Sequence, residues 1–260
     1  MRSTARHGVL LAVVLLLAGC GSGGGAGNFN LISLEEEWQL GNQIAQDVAR
    51  QVHLNNDPQL NAYVTQLGQR IVSKTNMAQL PWHFYVVDDP AINAFAIPGG
   101  HVYVNTGLIN ATDNASELAG VMGHEISHVL ARHSTEQISR QQGIGVLASL
   151  VLGQNPNQIA ALAAQIAATG ALARFSREAE EEADELGIRA MHAAGYDPRG
   201  MATMFQELME NSKGQPGKVE QFFSTHPLTQ DRVRHAEQRA AELGTGRTDE
   251  PEFQAIKRRV

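Results

Sequence analysis

The sequence feature that most constrains this chain is a His-Glu-x-x-His motif formed by His124, Glu125 and His128. Residues four apart lie on the same face of an α-helix, so both histidines can face one metal ion. About 6 Å of helix separates them, a span that two imidazoles can close around Zn²⁺ with bonds of about 2.0–2.1 Å. Glu125 lies about 100° further round the helix, where it can hold and deprotonate a water beside the metal. The motif therefore predicts a zinc site that activates water.

The residues around the motif favour a helix. Asn114 and Glu117 form an N-cap with a glutamate three residues on, a variant of the capping box. Two histidines buried beside a glutamate would be costly without a partner, which favours a metal site over a purely structural pair. Apolar residues follow at helical spacing, namely Leu118, Val121, Met122, Ile126, Val129 and Leu130.

A zinc ion held by two histidines needs at least one further protein ligand. The candidate segment is residues 176–185, where five glutamates compete. On a helical wheel, Glu180 and Asp184 fall inside an arc of apolar residues. The other four glutamates fall outside this arc, and they fit a solvated acidic face. The sequence therefore predicts Glu180 as the third ligand, and Asp184 as the acceptor of a hydrogen bond from the far nitrogen of a ligand histidine. The apolar arc consists of Ala179, Ala183, Leu186, Ile188, Ala190, Met191 and Ala194.

The N-terminus resembles a bacterial lipoprotein signal. Two arginines precede an apolar run over residues 9–18, which is too short to span a bilayer and ends in Leu-Ala-Gly-Cys. We expect a signal peptide over residues 1–19, lipidation of Cys20, and a Gly-rich tether over residues 20–30. Several acyl chains would anchor the chain stably. The residue after the cysteine is Gly21 rather than an Asp, and this resembles the sorting signal of lipoproteins that go to the outer membrane. An ordinary secretory signal with an incidental cysteine is the alternative.

The composition narrows the class of protein. The 260 residues carry 20 basic and 27 acidic side chains, a net charge of −7, which argues against a general nucleic-acid-binding protein. Hydrophobic residues make up 43% of the chain, enough for a substantial core, and we expect one domain over residues 31–260. With Cys20 as the only cysteine, no internal disulfide can form.

The order of patterns along the chain predicts a mainly helical α+β fold. Acidic, apolar and proline signals indicate two N-terminal helices, and aromatic and β-branched runs indicate two or three strands before the motif helix. The final residues, 244–260, are polar, and we expect part of them to be disordered. The predicted elements are helices over residues 34–52 and 58–71, strands over residues 83–87, 94–97 and 101–105, and a helix over residues 229–243.

Residues 144–175 are apolar and low in charge. Two Ala-rich blocks are divided by Gln-Asn-Pro-Asn at residues 154–157, which predicts two helices joined by a turn. Neither block is long enough for a membrane span. The pattern favours a buried core hairpin, with a mobile lid or a membrane-touching hairpin as the alternatives.

Four segments between residues 34 and 240 together resemble the HtpX/BepA/Oma/CAAX-prenyl-protease family of zinc metallopeptidases, family M48. The resemblance implies a gluzincin-like α+β fold with a small mixed β-sheet above the active-site helix, and a substrate that pairs with an edge strand. It is greatest for the periplasmic lipoprotein members of the family. The segments are His124-Glu125-x-x-His128, Ser176-Arg177-x-x-Glu180-x-x-Ala183-Asp184, Asn93-Ala94-Phe95-Ala96-Ile97-Pro98-Gly99-Gly100 and His226-Pro227-x-x-x-x-Arg232.

The resemblance also implies roles for two later residues. His226 lies before a proline, which biases it away from helix, so we expect its side chain on a loop near the zinc. There it would be either a fourth ligand in a resting state or a donor that stabilises the oxyanion, a role that Arg232 could share. A histidine that only packs against or caps the next helix is the alternative for His226.

These inferences predict a metalloendopeptidase with one Zn²⁺ per chain and Glu125 as the general base. Because edge-strand pairing reads backbone, we expect extended or misfolded envelope polypeptides as substrates, and a role in outer-membrane protein quality control at the periplasmic face. The expected partners are these polypeptides and, through the lipid anchor, the membrane; no nucleic acid is expected. The alternative is a zinc-containing periplasmic chaperone or assembly factor with little proteolysis, but a structural zinc would need no base at Glu125.

Overall fold

The computed structural model describes residues 30–169, 174–214 and 216–260. The predictions for the signal peptide, for Cys20 and for most of the tether lie outside the described residues. Helices dominate the described part and one three-stranded sheet accompanies them, so the prediction of a mainly helical α+β fold is confirmed. Within these ranges, no helix combines the length and the apolar character that a membrane crossing requires.

Two N-terminal helices begin where their capping residues predict. The first, α1 (Leu34–Gln51), has a capping box in which Ser33 and Glu36 satisfy each other's backbone N–H groups. The second, α2 (Pro58–Val72), starts with proline, and the Asp57 side chain accepts from the N–H groups of its first turn.

The sheet is mixed, as the family resemblance implied. It consists of β1 (His83–Val87), β2 (Ala94–Ile97) and β3 (His101–Asn105), in the order β1-β3-β2. β1 runs parallel to β3, and β2 runs antiparallel to it, joined by a turn in which Gly99 and Gly100 have φ of 83° and 78°, a region that suits glycine. β1 and β2 are therefore the two edges of this sheet.

The remaining helices form layers on both faces of the sheet. Side chains alternate along β3, so Val102 and Val104 join one apolar cluster with α2, while Tyr103 joins another with α1. These helices are α3 (Thr106–Ala111), α4 (Ala115–Leu130), α5 (His133–Val151), α6 (Pro156–Thr169), α7 (Arg177–Ala193), α8 (Arg199–Gly214), α9 (Pro216–Thr225), α10 (Gln230–Leu243) and α11 (Pro251–Lys257).

The apolar segment 144–175 forms the predicted pair of helices, α5 and α6, with its turn before Pro156. Helix α5 starts earlier than predicted and is interrupted at Gly143, whose φ of 72° and ψ of 168° are not helical. The pair packs against α1 and buries Leu147, Ile159 and Ile166 completely or almost completely. This burial supports the interpretation as a core hairpin.

The C-terminal residues, which we expected to be partly disordered, instead fold back onto the domain. Helix α11 buries Phe253. Glu250 accepts hydrogen bonds from Tyr63 at 3.1 Å and from Tyr196 at 2.9 Å, and it pairs with Arg70. The prediction was wrong because few apolar residues mark this segment, and its polar residues have partners that are distant in the sequence.

The Glu250 cluster gives an expected pH dependence of stability. Burial opposes ionisation of Glu250, but hydrogen bonds from Tyr196 and Arg70 hold its pKa below the ordinary value. A carboxyl group with a lowered pKa stabilises the fold above its unfolded-state pKa, and this contribution is lost as the pH falls through the folded-state pKa. We therefore expect Glu250→Gln to lower the free energy of unfolding near neutral pH and to lose less stability on acidification from about pH 6 to about pH 3.

The measurement is urea unfolding at a series of pH values, with tryptophan fluorescence as the signal that reports unfolding. Glu252→Gln, at an exposed position of α11, is the matched control and should behave like the wild type. The same pH dependence in Glu250→Gln and the wild type would contradict the prediction.

Candidate metal centre

The motif lies on a helix that runs through the middle of the domain. α4 begins after Asn114, whose side chain accepts hydrogen bonds from the N–H groups of Ser116 and Glu117 at 3.1 and 3.3 Å. Every residue from Ala115 to Val129 is buried. The predicted helix is therefore present, and both motif histidines point into protein rather than into solvent.

Four side chains converge at one point beside α4. They are His124 and His128 of α4, Glu180 of α7 and His226 of the loop after α9, and their ligand atoms all lie within 4.8 Å of one another. None of the four is more than 1% exposed. The structure thus brings together the three side chains that the sequence suggested as metal ligands, together with the histidine that the family resemblance placed nearby.

The spacing of these atoms fits a small tetrahedral ion. His124 Nε2 lies 3.1 Å from His128 Nε2 and 3.3 Å from His226 Nδ1, which in turn lies 3.0 Å from Glu180 Oε1. Four ligands on bonds of about 2.0–2.1 Å stand about 3.3 Å apart in a tetrahedron. Three imidazoles and one carboxylate are also ligands that zinc accepts, so the residue types and these three distances fit a zinc ion.

Glu125 lies beside the cluster, and this residue is only 1% exposed. Its Oε1 is 3.5 Å from Nε2 of His226, and neither atom has a hydrogen-bond partner among the described residues. Burial raises the pKa of Glu125, against the opposing effect of His226 and His124. Unpaired polar atoms in a buried site are costly, so their presence fits a place where a further polar group is taken up.

The helical-wheel prediction for α7 is confirmed in its burial pattern. Glu180 is 1% exposed and Asp184 is 8% exposed, whereas Glu181 and Glu182 are exposed. Ser176 caps the start of helix α7, and its side chain accepts a hydrogen bond from the N–H of Ala179 at 3.2 Å. The two inward acids therefore face α4.

Asp184 lies where the sequence predicted, with its Oδ1 2.8 Å from Nδ1 of His124. Burial opposes ionisation of Asp184, but hydrogen bonds from Arg232 and His124 hold its pKa below the ordinary value. A carboxylate at this atom favours the tautomer of His124 that leaves Nε2 free to bind a metal.

Arg232 lies behind the carboxylates rather than beside Glu125. Its Nε and one terminal nitrogen donate to Asp184 at 2.7 and 2.8 Å, and its other terminal nitrogen lies 2.6 Å from Glu180 and 3.0 Å from the carbonyl of Pro227. All three nitrogens are thus engaged by the protein. This placement differs from the suggested oxyanion donor, and it suits a side chain that holds the two acids in place.

His226 follows α9 directly and lies on a loop, as predicted. Its own N–H donates to the carbonyl of Phe222 at 2.8 Å. Burial opposes protonation of His226, yet the carboxylates of Glu180 and Glu125 outweigh it and raise its pKa above the ordinary value. His226 is therefore part of the buried cluster and does not merely cap the next helix.

Two residues at the site were missed in the sequence. The ring of Phe175 stacks on His128 with centroids 4.1 Å apart, and Nδ1 of His133 lies 2.9 Å from Nδ1 of His128. Neither follows from the spacing of the motif, because a turn separates His133 from α4 and Phe175 belongs to a different segment. The only available signal was a histidine five residues after His128.

Comparison with known proteins shows similarity to one family of peptidases and to several of its members. The model for peptidase family M48 matches residues 58–240. The beta-barrel assembly-enhancing protease of Escherichia coli (strain K12) is 34% identical over 221 residues, 82% of this chain and 45% of that protein. The protein of the same name from Yersinia pestis is 35% identical over 243 residues, 90% of this chain and 49% of that protein.

A mitochondrial relative is similar over a comparable length. The mitochondrial metalloendopeptidase OMA1 of Schizosaccharomyces pombe is 33% identical over 217 residues, 81% of this chain and 63% of that protein. The chain thus spans about half the length of the bacterial relatives and somewhat more of the mitochondrial one.

The geometry makes a prediction about metal content. We expect the purified wild-type chain to hold about one Zn²⁺, and His124→Ala or Glu180→Ala to lose it because each removes one of the converging ligands. Glu181→Ala and Glu182→Ala should keep it, since both side chains are exposed on the same helix. Elemental analysis of the purified variants is the measurement. Loss of zinc from Glu182→Ala, with zinc retained in Glu180→Ala, would contradict the assignment.

Proposed function

Because this chain belongs to peptidase family M48, we propose that it is a zinc-dependent endopeptidase that hydrolyses peptide bonds of extended or misfolded envelope polypeptides. The observation that supports this most is the convergence of His124, His128 and Glu180 with Glu125 beside them. The names of the relatives, a beta-barrel assembly-enhancing protease and a metalloendopeptidase, are consistent with this class of reaction.

A zinc ion held by His124, His128 and Glu180 would supply a Lewis acid that polarises the scissile carbonyl and lowers the pKa of water. The protein's own contribution is to hold these ligands rigidly. Asp184 fixes the ring of His124, and Arg232 bridges Asp184 and Glu180, so the carboxylates stay in place although they are buried together.

Glu125 is the proposed general base. Its carboxylate accepts a proton from the attacking water as the water oxygen forms a bond with the carbonyl carbon. The same proton then passes to the leaving amine as the C–N bond breaks. The raised pKa of this buried side chain suits a group that must both take up and release a proton.

The edge strand β2 is the proposed place where the substrate lies. The backbone of Ala96 in β2 contacts Glu125, so a peptide paired with this strand would pass the general base. Asn93, which directly precedes β2, is completely buried, and its side-chain amide has no partner among the described residues. Pairing with a strand uses backbone groups that every extended polypeptide offers, and it would therefore favour unfolded chains as substrates.

The general base can be tested directly. We expect Glu125→Gln to retain zinc but to lose cleavage of casein and of an unfolded outer-membrane protein, because an amide cannot accept the proton. The measurement is peptide release together with metal content. Undiminished cleavage by Glu125→Gln would contradict the mechanism. A wild type that binds zinc and unfolded chains, but cleaves neither casein nor the outer-membrane protein, would instead favour the chaperone alternative.

His226 is the proposed fourth ligand of a resting state. Its Nδ1 lies within 3.3 Å of both His124 Nε2 and Glu180 Oε1, inside the group of ligand atoms. Catalytic zinc sites keep one position open, whereas closed sites with four protein ligands are structural. His226 would therefore have to move away before hydrolysis.

Replacement of His226 separates the two roles that the sequence left open. If His226 closes the site, His226→Ala should keep zinc and cleave casein faster than the wild type. If it is an oxyanion donor, the rate should fall by as much as 10²–10³-fold. The measurement is initial cleavage rate at equal zinc content. An unchanged rate and zinc content would exclude both roles.

From the pattern around Cys20, we propose that the protein lies at the bacterial cell envelope, where a lipid would anchor it to the periplasmic face of the outer membrane. Cys20→Ser should release it from the membrane fraction or block its maturation, because the thiol that carries the lipid is removed. Cell fractionation and labelling with a fatty-acid probe are the measurements. Ser22→Ala, in the same tether, is the control, and unchanged fractionation and labelling of Cys20→Ser would contradict the anchor.

A further inference from the structure

A histidine outside the ligand cluster lies against the back of His128. The chain leaves α4, passes through Arg132 in the left-handed conformation at φ 60° and ψ 30°, and starts α5 at His133. This tight turn places His133 under the end of the helix that it has just left. His133 is 6% exposed, and its Nδ1 lies 2.9 Å from Nδ1 of His128.

The two rings fix each other's protons. Nε2 of His128 faces the cluster, 3.1 Å from Nε2 of His124 and 3.5 Å from Oε1 of Glu180. An imidazole that offers Nε2 to a metal carries its proton on Nδ1, which must then donate. The atom in reach of this donor is Nδ1 of His133, which can accept only if His133 carries its own proton on Nε2.

The outer nitrogen of His133 has a matching acceptor. Its Nε2 lies 3.4 Å from Oε2 of Glu182, a carboxylate that is exposed to solvent. One arrangement of protons therefore satisfies the whole series, with His128 donating to His133 and His133 donating to Glu182. It is also the arrangement that leaves Nε2 of His128 unprotonated.

We propose that His133 is a positioning residue for His128, which it orients by accepting the Nδ1 proton and so fixes in the metal-binding tautomer. This rests on the proposed function, in which His128 is a zinc ligand. The two ligand histidines of α4 are then oriented by different groups, His124 by the carboxylate of Asp184 and His128 by a neutral imidazole.

A packing role for His133 makes a different prediction. Its ring also contacts those of His128 and Phe175, with centroids 5.0 and 6.1 Å away. A phenyl ring would preserve this packing but could not accept a proton. An asparagine would lose the ring but could place its Oδ1 near the position of Nδ1. The two substitutions therefore separate hydrogen bonding from packing.

The first experiment measures zinc affinity of the metal-free protein by competition with a chromophoric chelator. We expect His133→Phe to bind zinc about 10–100-fold more weakly than the wild type, and His133→Asn to recover most of this loss. Glu182→Gln is the control for the outer contact and should stay within about threefold of the wild type, since that contact is exposed. Wild-type affinity in His133→Phe, or equal losses in His133→Phe and His133→Asn, would overturn the proposal.

A second experiment needs no variant. In the zinc-loaded wild type labelled with ¹⁵N-histidine, NMR should show His133 neutral with its proton on Nε2, and His128 with its proton on Nδ1. A proton on Nδ1 of His133 would overturn the proposal. A wild type that binds no zinc at all would overturn the proposed function and this inference together, whereas normal zinc binding with an unaffected His133→Phe would overturn the inference alone.

Discussion

The candidate site depends on the close approach of two helices, α4 and α7. They meet at Gly123 and Gly187, where a Cβ atom on either residue would lie 2.8–2.9 Å from backbone atoms of the other helix. His124 follows Gly123 directly, and Glu180 and Asp184 lie on the same helix as Gly187. A methyl group at this contact would force the helices apart, and the distances between Glu180, Asp184 and His124 would change with them.

The charge inside the site explains why these acids tolerate burial. Glu125, Glu180 and Asp184 are all buried, and the guanidinium of Arg232 is the buried cation that faces two of them. With all three acids ionised and the histidines neutral, as metal ligands are, the carboxylates and the guanidinium leave two negative charges, which an ion of charge +2 would balance. Buried charges are costly unless paired, so the site resembles one that is complete only with its metal.

Helical periodicity accounts for what could be predicted from the sequence. His124, Glu125 and His128 were identified because their spacing fits one helix face, and Glu180 and Asp184 because they alone of the acids on α7 fall in its apolar arc. Both inferences need only local geometry, so they did not depend on knowing how the helices pack.

The features that could not be predicted from the sequence depend on tertiary contacts that no local pattern encodes. His133 reaches His128 only because Arg132 takes a left-handed conformation, which is unusual for a residue other than glycine. The orientation of Arg232 depends on where α10 packs against α7. The docking of α11 rests on two buried apolar side chains, Phe253 and Ile256, and on polar partners far away in the chain.

The separation of the ligand residues along the chain has a consequence for the order of folding. His124 and His226 are 102 residues apart, and the start of α4 is also held by a hydrogen bond from Ser116 N–H to Thr248, near the C-terminus. Contacts this distant form late, after the intervening loops have closed. While the chain is still emerging, it presents the histidines of α4 without the groups that complete the site. The four converging side chains and the contact that holds the start of α4 are therefore all in place only after the C-terminal segment has been added to the chain.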